Sequence, residues 1–284
     1  MANQLANIKQ EVFDVVEKKV HDYVNRGELV LPAGYSAENA MKFAWLKMQS
    51  KPTKYENCTK TSIINALLSM LYQGLNPDKN QCYFIPYGNE LTLQRSYFGS
   101  IKLARTVDPT ITDICYDVVY EGDEFAIEKH RGHTVVATHR QKLCDMDKAK
   151  IIAAYCSVFR GEREDTTLMT MNEIKQAWRK SKTNPIDEHG NIKPNSVHGE
   201  DPASMAIKTV VNRACKYIIN SSDDSSLLAE SLKTTYDDTQ TREDIIEQEI
   251  EEKAFTTAVD FADETPEAPQ EVPTIPETPV DVDF

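Results

Sequence analysis

Residues 71–105 read LYQGLNPDKNQCYFIPYGNELTLQRSYFGSIKLAR, and they decide the fold because the apolar period changes twice within them. An amphipathic helix that starts before this stretch is predicted to end at Gly74. In the next residues, QCYFIPYGNELTLQ, apolar and polar side chains alternate on both sides of Gly88-Asn89, which predicts a β-hairpin. Ser96 is a candidate N-cap for a second helix that runs to about Thr106. A helix, a hairpin and a helix in direct succession predict an α+β fold.

The stretch before this segment is predicted to be helical. Residues 5–25 carry apolar side chains at helical spacing, a second helix runs from Ser36 to Gln49, and Thr59 or Thr61 opens the third. The apolar face of the first helix packs either within the chain or on a neighbouring protomer, and the sequence does not separate the two. We assign residues 1–50 as an N-terminal helical oligomerisation region.

After the helix that Ser96 opens, the chain is predicted to alternate between strands and helices. Three strands over ITDICYDVVYEGD, EFAIEK and HTVVATH are predicted to form a meander with turns at 121–123 and 131–132. Further elements are strands over 150–159 and TTLMTM, a helix over 171–181, a loop over 183–201, a helix opened by Pro202 and a short helix over 227–232. These elements predict an α+β core over residues 51–233, in which a small antiparallel sheet packs with several helices.

Negative charge is concentrated at the carboxyl end. The 284 residues carry a formal charge of −13, yet residues 237–284 hold 16 acidic and 2 basic residues, which leaves the remainder at +1. The acidic balance therefore belongs to the tail and does not exclude a basic nucleic-acid face on the body. Residues 234–284 are predicted to be an acidic, largely disordered tail. This tail either solubilises the protein, mimics nucleic acid or docks a basic partner.

Several protein classes are disfavoured by motifs that the sequence lacks. It has no run of about 18 apolar residues and no apolar stretch of signal-peptide type, so we expect a cytoplasmic protein without a transmembrane helix. It has no GxxxxGK[ST] phosphate loop, no HExxH and no GxSxG. Its six cysteines include no CxxC pair, which favours reduced, buried thiols over a zinc site.

Two groups of residues have the side-chain types of a metal site. His130, His133 and His139 have no acidic or cysteine partner in register, so turn or solvated histidines are favoured over metal ligands. The carboxylate pairs Asp145/Asp147 and Asp223/Asp224 lie at turns or helix starts, where aspartate serves as a cap. A two-metal nuclease needs carboxylates about 4 Å apart around its ions, which this spacing does not indicate. No catalytic residue and no metal ligand is assigned.

Basic residues recur on one face of each of three predicted helices. Their sets are Lys102 and Arg105 after Gln94, Arg95, Tyr97 and Phe98; Lys175, Arg179 and Lys182 around Trp178; and Lys208, Asn212 and Lys216 beside Arg213. The apolar face of the last helix is predicted to hold Met205, Val210, Ala214, Tyr217 and Ile218. One such stripe is usually a solvated face, but three that alternate with aromatic residues favour a groove along a phosphate backbone.

Segment 71–105, the later IKQAWRKS at 174–181 and DPASMAIKTVVNRACKY at 201–217 resemble the RecT family of phage recombination proteins. The resemblance extends from Ala37 to Ser226 and implies a non-enzymatic, ATP-independent annealing protein. Such proteins coat single-stranded DNA, oligomerise into rings or helical filaments and pair the coated strand with its complement. The resemblance also implies a bacterial host cell and a 5'-to-3' exonuclease partner, for which the tail is a candidate docking segment. It implies no cofactor, with Mg²⁺ expected only as a DNA counterion.

The resemblance assigns DNA-backbone contacts residue by residue. The leading candidates are Gln94, Arg95, Tyr97, Lys102 and Arg105 in the first motif and Lys208, Arg213 and Lys216 in the last. The second-ranked candidates are Lys175, Trp178, Arg179 and Lys182, which match less tightly. Asn212 stands where relatives often carry a basic residue, so it is not assigned as a contact.

Two other functions stay open on sequence alone. A nuclease would combine a divalent metal with a cluster of Asp and Glu residues in the same groove, and it would cleave the strand. A non-enzymatic scaffold would use its helices to bind another protein, with incidental basic stripes, and it would show no salt-sensitive DNA binding.

Overall fold

The computed structural model describes residues 2–50, 54–55, 57–142, 150–180, 185–222, 228, 231–232 and 236–237. The chain divides into two units, Met1–Ile245 and Ile246–Phe284, and all described residues lie in the first. The elements in chain order are α1 (Ala2–Asn25), α2 (Ala37–Gln49), α3 (Lys60–Tyr72), β1 (Cys82–Tyr87), β2 (Glu90–Arg95), α4 (Tyr97–Val107), β3 (Asp113–Tyr120), β4 (Glu124–His130), β5 (His133–Arg140), β6 (Ile151–Arg160), β7 (Arg163–Thr170), α5 (Met171–Lys180), α6 (Val197–Glu200), α7 (Pro202–Asn220) and β8 (Tyr236–Asp237). The predicted α+β class is confirmed.

The first hydrophobic core joins α1, α2, α3 and the β1–β2 hairpin. Val12, Val16 and Val20 on one face of α1 are buried in it, and the ring of Phe13 meets that of Trp45 edge-on at 5.7 Å. This part of the apolar face of α1 is therefore covered within the chain, while Val15 and Val24 are exposed. The oligomerisation assigned to this region stays a prediction.

The second core lies between a three-stranded sheet and the helices α4, α5 and α7. Its strands run in the order β3–β6–β7 with both pairs antiparallel, so Ser157 lies opposite Cys115 on one side and Thr166 on the other. Side chains alternate across a strand, so one register of the central strand enters this core, except at Ile152, which is exposed. The buried residues of that register are Ala154, Cys156 and Val158.

The predicted three-strand meander is wrong, because β3 pairs with β6 while β4 and β5 form a separate two-stranded sheet. Both predicted turns are present and contain Gly122 and Gly132 at positive φ. β3 and β6 each bury apolar residues, whereas β4 is exposed along nearly its whole length and offers β3 no matching face. The β4–β5 hairpin reaches the larger sheet through His139, whose Nδ1 lies 3.0 Å from the Tyr155 hydroxyl.

Most helix starts lie where the caps predict. Ser36, Thr59 and Ser96 each accept a backbone N–H of the helix that follows, which confirms Thr59 rather than Thr61 as the cap of α3. Pro202 occupies the first turn of α7 as expected. The predicted β1–β2 hairpin is confirmed, with Gly88 at positive φ in its turn.

Towards the carboxyl end the structure differs from the prediction in two places. The segment 183–201 is not only a loop, because it holds α6 and an antiparallel bridge between Ile186 and Ile192. The short strand β8 was not predicted, and it pairs in parallel with β2. Most of the helix predicted at 227–232 and of the tail at 234–284 lies outside the described residues, and the predicted domain boundaries stay predictions. None of the helices in the described part is long and apolar enough to cross a membrane.

Candidate nucleic-acid interface

Residues 76–81, here called the connecting segment, precede β1 and lie against α4 at Gly99. A Cβ atom added at Gly99 would lie 2.1 Å from the carbonyl oxygen of Gln81, so this approach requires glycine. Ser96 holds the approach, because its N–H donates to the Gln81 carbonyl at 3.1 Å and its hydroxyl donates to the Asn80 carbonyl at 2.6 Å. The sequence SYFGS therefore positions the connecting segment on α4.

A polar pocket of about 280 Å³ lies between the connecting segment, α4 and the start of α2. We call it the Lys79–Lys102 pocket. No acidic residue lines it, and neither lysine forms an ion pair with any residue that the structure describes. Its lining residues are Ala33, Gly34, Tyr35, Ser36, Asn39, Phe43, Gly74, Asn76, Lys79, Gln81 and Lys102. Two uncompensated ammonium groups beside amide side chains suit an anion such as a phosphate.

A second pocket, of about 330 Å³, lies on the other side of the connecting segment, between the end of α2 and β1. We call it the Lys47–Lys54 pocket, and it too has two lysines and no acidic residue in its lining. Its walls are largely aromatic and aliphatic. Its lining residues are Lys47, Ser50, Lys54, Tyr55, Pro77, Asn80, Cys82, Tyr83, Phe84 and Ile85.

One face of α2 connects the two pockets. Asn39 and Phe43 line the first pocket and Lys47 lines the second. Residues spaced i, i+4 and i+8 share a face of a helix, and the three span about 12 Å at 1.5 Å per residue. The two pockets thus form a basic border along α2 that sequence reasoning missed. The helical spacing of these three residues was the one available signal.

Aromatic residues of β1, α4 and β3 form a group, and its member Tyr83 lines the Lys47–Lys54 pocket. The rings of Tyr97 and Phe98 are 4.1 Å apart, and Tyr97 meets Tyr116 edge-on at 6.3 Å. Burial raises the pKa of the Tyr97 hydroxyl, and the nearby phenols of Tyr116 and Tyr83 add to the rise. Phe98 and Tyr83 remain exposed, and Tyr83 offers flat aromatic surface beside the two lysines of that pocket.

Arg95 does not present its charge to solvent, which corrects its predicted exposure as a DNA contact. Its side chain lies between the two cores and the residue is 5% exposed. Its Nη1 donates to Gln73 Oε1 at 3.0 Å and its Nε donates to Ser100 Oγ at 3.2 Å. Burial raises the pKa of the Cys215 thiol to about 12, and the charge of nearby Arg95 opposes that rise. Arg95 therefore joins α3, α4 and α7 inside the protein.

The other first-motif candidates are accessible to different degrees. Lys102 is half-buried in its pocket, and Gln94 is half-buried on β2 opposite β8. Arg105 is exposed and its Nη2 lies 3.1 Å from Asp113 Oδ1. The pKa of the Asp113 carboxyl is lowered, most by the N–H of Ile114 and less by Cys115 and Arg105. An exposed pair of this kind is weak, so Arg105 can exchange its partner for a phosphate.

The candidates on α5 have mainly internal contacts. Trp178 is buried, its Nε1 donates to Thr209 Oγ1 at 2.8 Å, and its ring lies edge-on against His198 at 4.6 Å. This place corrects the predicted role of Trp178 as an accessible aromatic contact. Lys175 donates to the Gly190 carbonyl at 3.3 Å, and Arg179 lies beside the same residue. Lys182 lies outside the described residues.

On α7 the exposed basic residues are Arg213 and Lys216. Asn212 is buried and neither of its amide atoms bonds to a described residue, so the predicted line from Lys208 to Lys216 is interrupted. Tyr217 is 75% exposed, so its predicted place on the apolar face is wrong. Lys208 is half-buried near His198, whose pKa is lowered by burial and by that ammonium. The described contacts do not bring Arg213 or Lys216 together with Lys102.

The three histidines take separate acidic neighbours. His130 lies 3.0 Å from Glu128, His133 lies 3.6 Å from Asp165 and His139 lies 3.3 Å from Asp123. Within the described ranges no three metal-binding side chains come together. That no residue of this protein is a metal ligand stays a prediction, since the carboxylates of 143–149 and 223–227 lie outside those ranges.

Comparison with known proteins gives one result. The family model described as RecT family matches residues 38–254, about three quarters of the chain. No curated protein and no solved structure matches the chain. The match includes α2 from its second residue, the connecting segment, α4 and α7, and therefore the four lysines of the two pockets.

Proposed function

Because the chain belongs to the RecT family, which connects it with DNA recombination and annealing, we propose that it pairs complementary single strands of DNA without ATP. The observation that carries the proposal is the Lys79–Lys102 pocket. The motif of residues 71–105 supplies both lysines, and the Gly99 contact brings the segment that carries Lys79 against the helix that carries Lys102. Positive charge without a neighbouring carboxylate is what binding to a phosphate backbone requires.

Annealing needs affinity for strands with little preference among base sequences. Contacts to phosphate and sugar leave the base edges free to pair, and cations reduce the repulsion between two strands. Lys79 and Lys102 bind one strand in this proposal, together with Gln94 and Arg105 on the same motif. Arg213 and Lys216 on α7 form a second basic face for the same strand or for its complement. Lys175, Arg179, Lys182 and Lys208 rank behind them, while Arg95 and Trp178 support the fold.

The assembly and the partners belong to the same proposal. A ring or helical filament of protomers would place these faces in a row and hold a long strand extended. A 5'-to-3' exonuclease would supply the single strand, with the acidic tail as its docking segment. No cofactor takes part, and Mg²⁺ acts only as a counterion of the DNA.

Two complementary oligonucleotides, each with its own dye, test the function when they are added in sequence without ATP across a salt series. We expect protein-accelerated pairing that weakens as salt increases, because released counterions oppose binding. Cleavage of a strand in the presence of a divalent metal would favour a nuclease instead. A protein that binds neither strand at low salt would favour a protein-binding scaffold.

Replacing both pocket lysines changes the salt dependence of binding. We expect Lys79→Met/Lys102→Met to reduce the slope of log K against log salt by about 1.4, since each phosphate contact on a single strand contributes about 0.7. Affinity for single-stranded DNA at physiological salt should fall about tenfold or more. Fluorescence anisotropy with a labelled oligonucleotide measures both quantities.

The matched control is Lys42→Met/Lys60→Met, which removes the same charge from the same half of the protein. Lys42 lies 2.5 Å from Glu38 and Lys60 pairs with Glu11, so neither lysine is uncompensated. The control variant's slope of log K against log salt should stay close to that of the unaltered protein. Equal slopes in the two double variants would contradict the assignment of the pocket.

Removing residues 246–284 should leave annealing intact. This segment carries 12 acidic residues and one basic residue, so its loss reduces the repulsion between protein and DNA. We expect affinity for single-stranded DNA at low salt to rise about two- to tenfold, and the rise to disappear at high salt. The truncation keeps the β2–β8 pairing. Loss of annealing in the truncated protein would show that the body alone does not suffice.

A further inference from the structure

The Lys47–Lys54 pocket differs in chemistry from the Lys79–Lys102 pocket on the other side of the connecting segment. Its back wall is formed by Phe84 and Tyr55, which are buried, and by Pro77. The Tyr55 hydroxyl donates to the Phe84 carbonyl at 3.2 Å, which fixes the ring edge. Burial raises the pKa of this hydroxyl, with a smaller contribution from Cys58, so the ring stays neutral. The wall is therefore apolar and held in place.

The opening of this pocket is aromatic and positively charged. Tyr83 lies at the opening and is 44% exposed, although its neighbours Cys82 and Phe84 are buried. The Lys54 ammonium lies 5.6 Å from the centroid of the Tyr55 ring, and Lys47 lines the pocket from α2. An apolar wall, an accessible ring and two cations match the parts of one nucleotide, because a base stacks on a ring and its phosphate pairs with an ammonium.

We propose that the Lys47–Lys54 pocket binds one unstacked nucleobase of the single strand, with Tyr83 as the stacking surface and Lys47 and Lys54 on the flanking phosphates. The proposal rests on the proposed function, because it takes the ligand to be the strand that the protein anneals. Continuity supports it. The connecting segment lines both pockets, so a strand whose phosphate lies at Lys79 and Lys102 passes close to this opening.

The pocket has no evident means of choosing between bases. Its lining has one amide, that of Asn80, and the hydroxyls of Ser50, Tyr55 and Tyr83. Two of these hydroxyls already donate to backbone carbonyls, Ser50 to Lys47 at 2.8 Å and Tyr55 to Phe84 at 3.2 Å. Stacking tolerates every base because each has a π-face. A base held once per protomer would keep the strand in register with the protein, while the remaining bases stay available for pairing. This is the role that the pocket adds to simple charge neutralisation.

Tyr83→Ala tests the proposal, and a second substitution on the same β-strand, β1, serves as its control. We expect it to weaken binding of an oligothymidylate about tenfold without changing the salt slope, since stacking releases no counterion. Tyr87→Ala is the matched control, because Tyr87 is 41% exposed on β1 and does not line the pocket. Its affinity should stay within about twofold of the unaltered protein. Equal affinity of both variants, or equal loss in both, would overturn the proposal.

A second measurement uses the unaltered full-length protein and needs no variant to fold. An oligothymidylate with a single 5-iododeoxyuridine is irradiated in the complex, and the crosslinked residue is located by mass spectrometry. A crosslink at Tyr83 or Tyr55 supports the base pocket, and crosslinks confined to other elements overturn it. If the unaltered protein shows no salt-sensitive binding at all, the proposed function fails. If it anneals normally but crosslinks elsewhere, only the base pocket fails.

Discussion

Arg95→Ala should lower the free energy of unfolding by about 3–5 kcal/mol, the largest stability loss that we expect from any single basic residue. The guanidinium is buried between the two cores and donates to Gln73 and Ser100. A hydrogen bond from a charged donor contributes about 1.5–3 kcal/mol, and its removal leaves buried acceptors that water cannot reach. Arg95→Lys should recover only part of the loss, because one ammonium cannot reproduce the fork of the guanidinium.

Urea unfolding followed by circular dichroism measures this loss. Arg105→Ala is the control, since Arg105 is exposed and its pair with Asp113 contributes about 1 kcal/mol or less. The two variants separate the fold from the DNA contact, because Arg105→Ala should weaken DNA binding more than it weakens the fold. An Arg95→Ala protein of normal stability with weak DNA binding would restore Arg95 as a strand contact.

Gly99→Ala should destabilise the protein by about 3 kcal/mol, although alanine favours a helix by about 1 kcal/mol over glycine. The new Cβ would lie 2.1 Å from the Gln81 carbonyl oxygen and 2.8 Å from Arg95 Cγ. The carbonyl cannot retreat freely, because it accepts the N–H of Ser96 at 3.1 Å. The connecting segment must therefore shift away from α4, which also separates Lys79 from Lys102.

Thermal unfolding and the annealing assay measure the two consequences of this substitution. Thr106→Ala on the same helix is the control, because it removes only a half-buried hydroxyl that bonds to the Lys102 carbonyl at 2.9 Å. We expect it to change stability by about 1 kcal/mol or less and to leave annealing nearly unchanged. A Gly99→Ala protein more stable than the unaltered one would contradict the close approach of the connecting segment.

The candidate site was only partly predictable, because exposure is not a property of a short sequence. The i, i+4, i+8 line of Lys208, Asn212 and Lys216 assumed a solvent face, but α7 packs on both α4 and the sheet and buries Asn212. The sequence predicts a DNA contact at Trp178, yet this residue is buried in the second core and its Nε1 donates to Thr209 Oγ1. Lys79 is not found from the sequence because its pocket is completed by α2 and by Lys102 of α4, which lie at least 30 and 23 residues away.

The sequence by itself determined the local elements of this protein. Ser36, Thr59 and Ser96 open their helices, and Gly88 turns the first hairpin, because a cap or a turn depends on residues within about four positions. Only the tertiary structure decided that β3 pairs with β6, that Arg95 lies inside, and that two lysine pockets flank residues 76–81. Those outcomes depend on which apolar faces meet across the chain, and that competition is settled by packing among distant segments.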